Sequence, residues 1–252
     1  MATASERAAI ADALWTARET RSTTRPPSEC VERFTLDDAY DVAGRLHERR
    51  VAAGAHRVGL KIGFTNTAVW DALGLADPIC VPVYDDTVID RDVLPPREFD
   101  LTPLVAPAIE PEIALGIARD GVSWWALAFE IVQCHYPGWR MTAPDALADY
   151  ALHGGLVVGP RHPGDPASFA IELLRNGELV ERGSTEAVLG GPLHALARLT
   201  EIVAATPSIT PLRPGEIVTT GTMTAAPRVA SGESWQLHVA SPDVEPLTLE
   251  LR

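Results

Sequence analysis

Residues 4–19 place alanine, leucine and tryptophan at helical spacing, and Arg25-Pro26-Pro27-Ser28 ends that pattern in a loop. Thr35-Leu36-Asp37-Asp38 reads as a second helix start, a capping threonine with an acid three residues on, and an amphipathic run follows to about Ala53. Beyond it the period turns from helical to extended. Residues 57–64 predict a strand with glycines, 67–73 a short helix, and 80–89 and 104–118 further strands. Residues 124–134 are apolar apart from Glu130, 143–151 predict a helix, and 154–159 a buried strand. In the last third, 168–175 and 178–182 flank Asn176-Gly177, a pair that tolerates positive φ and so marks a two-residue hairpin. A helix over 192–204 interrupts strands at 216–220, 234–240 and 246–251, with Pro207, Pro211 and Pro214 spacing the loop after it. The pattern shows no repeat, low-complexity stretch or linker. It predicts an α+β fold, with residues 1–55 a helical segment packed on a β-rich body of residues 56–252, one structural domain overall.

Composition narrows the function classes. At 252 residues and 46% apolar, the chain can bury a full core. Its 21 basic and 34 acidic residues give a net charge of −13, which opposes binding to nucleic acid or to an anionic membrane and points to a small-molecule protein. Cys30, Cys80 and Cys134 are too few and too far apart for a zinc knuckle or a disulfide framework, so a reducing cytosol is the expected home. Glu6, Arg7 and Asp12 interrupt what would be the apolar core of a signal peptide, and no stretch reaches the ~18 apolar residues of a membrane span.

Within the apolar runs a few charges stand out. Glu110 and Glu112, in Ala108-Ile109-Glu110-Pro111-Glu112-Ile113-Ala114-Leu115, would share one face of an extended segment. Two readings are open: solvated acids on an edge strand, which Pro111 would suit, or a like-charged pair that needs a hard cation or a base to neutralise it. Oxygen-only ligands favour Mg²⁺, Mn²⁺ or Ca²⁺ over zinc. Glu130 is the only formal charge between Asp120 and Arg140, and a third carboxylate would complete one face of an octahedral site. Lys61, between Leu60 and Ile62, is either a snorkelling strand lysine or an inward cation able to meet a carboxylate or an enolate. His135 and His153 are weaker candidates, and Thr219-Thr220-Gly221-Thr222 is either an ordinary strand-end turn or a source of donors to an anion. There is no nucleotide-binding loop, nucleophile elbow or histidine-rich metal motif, and Gly190-Gly191 lacks the setting of a dinucleotide fingerprint.

Six segments in order carry a family resemblance: Gly59-Leu60-Lys61-Ile62-Gly63-Phe64-Thr65, Ile109-Glu110-Pro111-Glu112-Ile113-Ala114, Phe129-Glu130-Ile131-Val132, Ala148-Asp149 through His153-Gly154, Val188-Leu189-Gly190-Gly191-Pro192-Leu193, and Pro214-Gly215-Glu216-Ile217-Val218-Thr219-Thr220-Gly221. Together they resemble the 2-keto-4-pentenoate hydratase and 4-oxalocrotonate decarboxylase branch of the fumarylacetoacetate hydrolase superfamily, from about residue 35 to the end. The resemblance implies a mixed β-sheet roll, and Mg²⁺ or Mn²⁺ held by Glu110, Glu112 and Glu130. It places Lys61 in the active site. Lys61, Glu130 and His153 are then the catalytic candidates, and the residue reading adds Thr220, Gly221 and Thr222 to Lys61 as groups expected toward the substrate. The substrate that the resemblance implies is a small 2-oxo or 2-hydroxy-dienoic acid that chelates the metal, and the assembly a homodimer or larger homo-oligomer.

The expected activity is a metal-dependent, hydratase-like lyase; decarboxylation or C–C hydrolysis on the same site, in catabolism or a specialised biosynthetic pathway, and a non-catalytic paralogue are the alternatives. The chain departs from the family pattern at Pro78-Ile79-Cys80-Val81, where many hydratases have Pro-Asp-Phe/Tyr-Gly, and at Tyr150-Ala151-Leu152, where they commonly have Asn-Ala-Ser. His153 or His135 would then supply the proton relay. The Glu112-to-Glu130 segment is also shorter than usual by about one helix, which would open the site or shift Glu130 out of coordination.

Overall fold

A computed structural model describes residues 1–67, 70, 74–92, 98–241 and 243–252. The helix expected over 67–73 lies largely outside the described residues. Two long helices lead the chain, α1 (Ala4–Thr20) and α2 (Leu36–Ala52), followed later by the short α3 (Ala143–Ala148) and by α4 (Pro192–Ala205). The first three each begin with a threonine capping box, Thr3 with Glu6, Thr35 with Asp38 and Thr142 with Asp145. In each, the threonine hydroxyl accepts one otherwise unpaired N–H while the acid accepts another. Asp145 also accepts the Ser28 N–H (2.8 Å) and hydroxyl (2.6 Å), which pins the loop between α1 and α2 onto α3.

The strands are β1 (Arg57–Gly63), β2 (Ile79–Tyr84), β3 (Val88–Asp90), β4 (Glu98–Phe99), β5 (Ala108–Ala118), β6 (Gly121–Val132), β7 (His153–Pro163), β8 (Ala170–Arg175), β9 (Glu178–Ser184), β10 (Ile217–Thr219), β11 (Ser234–Val239) and β12 (Leu247–Leu251). They form a seven-stranded mixed sheet ordered β2-β1-β10-β5-β6-β7-β3 and a five-stranded sheet ordered β4-β12-β11-β8-β9. The run expected as one strand over 80–89 is broken by a 3₁₀ turn at Asp85–Thr87, which carries the chain from β2 on one edge of the large sheet to β3 on the other. Asn176 and Gly177 both have positive φ, 53° and 81°, and close the β8–β9 hairpin as expected.

Alternation along the strands sorts the side chains. Ile109, Ile113 and Leu115 of β5, with Leu127, Phe129 and Ile131 of β6, join Leu173, Trp235, Leu237 and Leu249 of the smaller sheet in the main core. A second core gathers Ile10 and Leu14 of α1, Val42 and Leu46 of α2 and Leu147 of α3 against Ile79 and Val81 of β2. Ile79, the position of a family acid, is therefore core, 1% exposed.

Pro111 does not mark an edge, because β5 lies between β10 and β6. Pairing with β10 stops at Ala114, so the N–H that proline lacks has no ladder partner to miss, while the Pro111 carbonyl accepts the Met223 N–H (2.9 Å). The solvated-edge reading of the two glutamates falls with it. On the other side of β10, β1 runs parallel and so close that a Cβ on Gly59 would sit 2.0 Å from the Ile217 carbonyl oxygen; only glycine fits there.

Candidate active site

Glu110 faces Glu130 directly across the β5–β6 pair, and Glu112 lies two residues along the same face as Glu110. The short connection between β5 and β6 thus keeps Glu130 beside the other two acids and does not displace it. One oxygen from each of the three lies within 4.8 Å of the others. Glu112 and Glu130 are fully buried, and Glu110 is half-buried at the wall of a cavity of about 330 Å³. On β1, Leu60 and Ile62 enter the main core, which turns Lys61 toward the acids.

The Lys61 ammonium donates to Glu130 Oε1 at 2.7 Å and to the Ala151 carbonyl at 2.9 Å. His153 Nδ1 meets the same Glu130 oxygen at 2.7 Å, and its Nε2 lies 3.0 Å from the Thr87 hydroxyl. The Gly221 N–H donates to Glu112 Oε2 at 3.0 Å. Gly221 has φ +92°, and a Cβ there would lie 2.0 Å from Thr65 Oγ1, so this strand end admits no side chain. Four buried oxygens remain without a hydrogen-bond partner among the described residues: Glu112 Oε1, Glu130 Oε2, Thr65 Oγ1 and Thr219 Oγ1.

Burial pushes Glu110 up to about 7, against the pull of Lys61. Glu112 is raised well above the usual carboxylate range by burial and then by the charges of Glu130 and Glu110. Burial acts on Glu130 in the same sense, but Lys61 and His153 outweigh it and hold this carboxyl down at about 2. Lys61 would be lowered by burial, yet the three acids keep it above its ordinary value. Burial lowers His153 in spite of the Glu130 contact. One member of the cluster is thus a firm anion, whereas burial disfavours the charge on the other two.

The helix expected over 143–151 stops at Ala148, and Tyr150, Ala151 and Leu152 follow with φ of 58°, 47° and 65°. Three consecutive left-handed residues other than glycine are costly. This turn aims the Ala151 carbonyl at Lys61, and it is held by the Tyr150–Tyr84 hydroxyl contact and by the Leu152 N–H on the Asp149 carbonyl (2.9 Å).

Of the residues singled out from sequence, Lys61, Glu110, Glu112, Glu130 and His153 come together in this cluster. Gly221 and Thr222 line the cavity, the Thr222 hydroxyl donating to the Thr224 carbonyl (3.0 Å), while Thr220 donates its hydroxyl to the Ile113 carbonyl (2.9 Å). His135 is fully buried and bonds Asp149 (2.8 Å). Sequence reasoning assigned no role to Thr65, Thr87 or the Ala151 carbonyl. Thr65 closes the Gly59-to-Thr65 segment, so its place beside Lys61 was on view, whereas nothing local marks Thr87.

The fumarylacetoacetate (FAA) hydrolase C-terminal family model matches residues 105–245, and the chain belongs to the fumarylacetoacetate hydrolase family. It is 31% identical over 219 residues to a 4-oxalocrotonate decarboxylase of Pseudomonas sp, covering 81% of this chain and 83% of the relative. It is also 31% identical over 241 residues to a 2-keto-4-pentenoate hydratase of Paraburkholderia phymatum, covering 88% and 89%. Among solved structures, 4-oxalocrotonate decarboxylase from Pseudomonas putida G7, complexed with magnesium and adipate, has the same fold: TM-score 0.91 at 23% identity, covering 100% of this chain and 99% of that one. With relatives of this kind, the chain is a lyase-type enzyme of the family. No helix among the described residues is long and apolar enough to cross a membrane.

Proposed function

We propose that the protein is a divalent-metal-dependent hydratase, adding water to a small 2-oxo or 2-hydroxy-dienoic acid. The observation that carries this reading is the set of three converging carboxylates, two of them with a buried oxygen left without a hydrogen-bond partner among the described residues. Those oxygens suit a hard cation, and a divalent ion together with Lys61 would balance three ionised acids. Glu110, Glu112 and Glu130 would hold Mg²⁺ or Mn²⁺, which supplies a Lewis acid toward the 2-oxo end of the substrate.

The chain's own groups define the rest. Two N–H groups of the Lys61 ammonium are engaged by Glu130 and Ala151, leaving the third for a substrate oxygen on which negative charge develops. His153 Nδ1 lies 2.7 Å from Glu130 Oε1, and His153 is the group we assign to proton relay. Decarboxylation on the same site is the second reading, supported by the decarboxylase relative. A non-catalytic role does not account for four charges gathered on apolar strands. Three free cysteines, two of them buried, suit a cytosolic protein, and the family resemblance supports a homodimer or larger homo-oligomer.

The deciding experiment incubates the Mn²⁺- or Mg²⁺-loaded protein with 2-hydroxypenta-2,4-dienoate and with 4-oxalocrotonate, following loss of diene absorbance and release of carbon dioxide. Hydration without carbon dioxide supports the leading reading, carbon dioxide release the second, and neither product refutes both. Metal affinity should also depend on pH. Glu110, raised to about 7, has to lose its proton to bind a cation, and Glu112 is raised as well, so Mn²⁺ affinity is expected to rise at least about tenfold from pH 6 to pH 8, with proton release measured by titration in buffers of different ionisation enthalpy. A flat profile would show that this acid is already ionised in the metal-free protein.

A further inference from the structure

Three parts of the site meet at the left-handed turn of Tyr150, Ala151 and Leu152. The Ala151 carbonyl accepts from Lys61 at 2.9 Å, the Leu152 side chain lines the cavity, and the next residue, His153, reaches Glu130. None of the three turn residues is glycine, so their conformation has to be imposed by what surrounds them. Backbone bonds hold the far end, the Leu152 N–H on the Asp149 carbonyl (2.9 Å) and the Gln133 N–H on the Leu152 carbonyl (2.8 Å). Of the three side chains only that of Tyr150 can hydrogen-bond.

Tyr150 is 3% exposed, and its hydroxyl meets that of Tyr84, which is 1% exposed and also lies 2.6 Å from His47 Nδ1. One chain of hydrogen bonds therefore runs from α2 through the end of β2 to the turn. Two guanidinium groups close over it: Arg50 of α2 sits 4.3 Å from the centre of the Tyr84 ring, and Arg18 of α1 5.7 Å from that of Tyr150. Arg18 also donates to the His153 carbonyl at 3.2 Å, so the N-terminal helices grip the turn on both sides. Neither tyrosine belongs to the cavity lining, which leaves both hydroxyls out of reach of a substrate there.

We infer that Tyr150 and Tyr84 are positioning residues for Lys61. Their hydroxyl pair, clamped from α1 and α2, holds the turn so that the Ala151 carbonyl takes one N–H of the ammonium while Glu130 takes another and the third is directed at the cavity. The inference rests on the reading proposed above, in which that third N–H meets a substrate oxygen on which negative charge develops. Such a bond contributes most when the charge is formed, so a loosened turn weakens the enolate-like form more than the ground state. The three acids stand on β5 and β6, outside the turn, and their hold on a cation should change little.

The test is calorimetric titration of the Mg²⁺-loaded protein with two probes, pyruvate as the ground-state 2-oxo acid and oxalate, a planar dianion that resembles its enolate. Wild type is expected to bind both, oxalate the more tightly. Tyr150→Phe, which deletes only the hydroxyl, should weaken oxalate about tenfold and pyruvate less than about threefold, with Mg²⁺ affinity unchanged within about threefold. Arg18→Met, which releases the turn from its other side, should act in the same direction. Tyr136→Phe removes a buried hydroxyl that donates to the Asp145 carbonyl (2.8 Å) in the same core, so it should lose stability with the ratio of oxalate to pyruvate affinity unmoved. Adding Tyr150→Phe to Lys61→Met should shift that ratio no further. A ratio unchanged by Tyr150→Phe, or shifted equally when Lys61 is already absent, would overturn the inference while leaving the chelating site intact. Failure of the wild-type protein to bind either probe would overturn the chelating site and the inference with it. Where Tyr150→Phe does not fold, Arg18→Met decides the matter by the same comparison.

Discussion

Replacing Glu110 with alanine is expected to reduce Mg²⁺ and Mn²⁺ affinity by more than about 100-fold and to remove turnover, since even a residue behind the ligands typically costs 10–100-fold and Glu110 is assigned as a ligand itself. Its geometry explains why no neighbour can substitute. Glu110 faces Glu130 across the strand pair, and the next side chain on that face beyond Glu112 is Ala114, which offers no oxygen. The loss should not come from unfolding. The folded protein disfavours the charge on Glu110, whose pKa rises to about 7 from a usual value of 4.5, so in the metal-free wild type this group contributes stability that is present below pH 4.5 and lost as pH rises through 7. Metal-free Glu110→Ala should accordingly be at least as resistant to urea at pH 8 as metal-free wild type. Undiminished Mn²⁺ binding by the variant in calorimetry would eliminate Glu110 as a ligand.

Lys61→Met is expected to cost about 3–5 kcal/mol of stability in the metal-free protein, because it leaves Glu130 buried with one cationic partner removed. The two side chains are 3% and 0% exposed and 2.7 Å apart, so water cannot take over the lost contact. Adding Glu130→Gln to Lys61→Met should restore much of that stability, since the double variant removes the charge that lacked a partner, whereas neither protein should turn over substrate. Urea denaturation of the two single variants and the double variant measures the coupling. Additive effects would mean that the ammonium and the carboxylate do not depend on each other.

The parts of the site that were legible in the sequence are those where charge contradicts its surroundings. Glu110, Glu112, Glu130 and Lys61 each interrupt a strand whose neighbours are apolar, and a period of two was enough to put the first pair on one face. What sequence could not supply was the meeting of distant strands: nothing local says that Glu130 lies opposite Glu110, or that His153 reaches back to it. The helices were legible because caps are local, as Thr35 and Asp38 show. The turn at Tyr150, Ala151 and Leu152 was not, because helix-compatible residues there are forced into left-handed backbone by contacts from β1 and β2, namely Lys61 on the Ala151 carbonyl and Tyr84 on the Tyr150 hydroxyl. Pro111 misled for a related reason. Its lack of an N–H signals an edge only if the neighbouring strand runs its full length, and β10 ends early.

β10 also determines when the site can exist. Lys61 pairs through its backbone with Thr219, and the glycine that donates to Glu112 follows two residues later, more than half the chain away from the lysine. Parallel strands so far apart in sequence cannot zip from a turn, and closing the intervening segment is slow relative to hairpin formation. During synthesis the β5–β6 hairpin, with its three acids, is complete well before β10 leaves the ribosome. The acidic hairpin has to wait for the last third of the chain before its surroundings are in place, so the capacity to hold the reactive end of a substrate arrives with one of the latest long-range contacts the polypeptide makes.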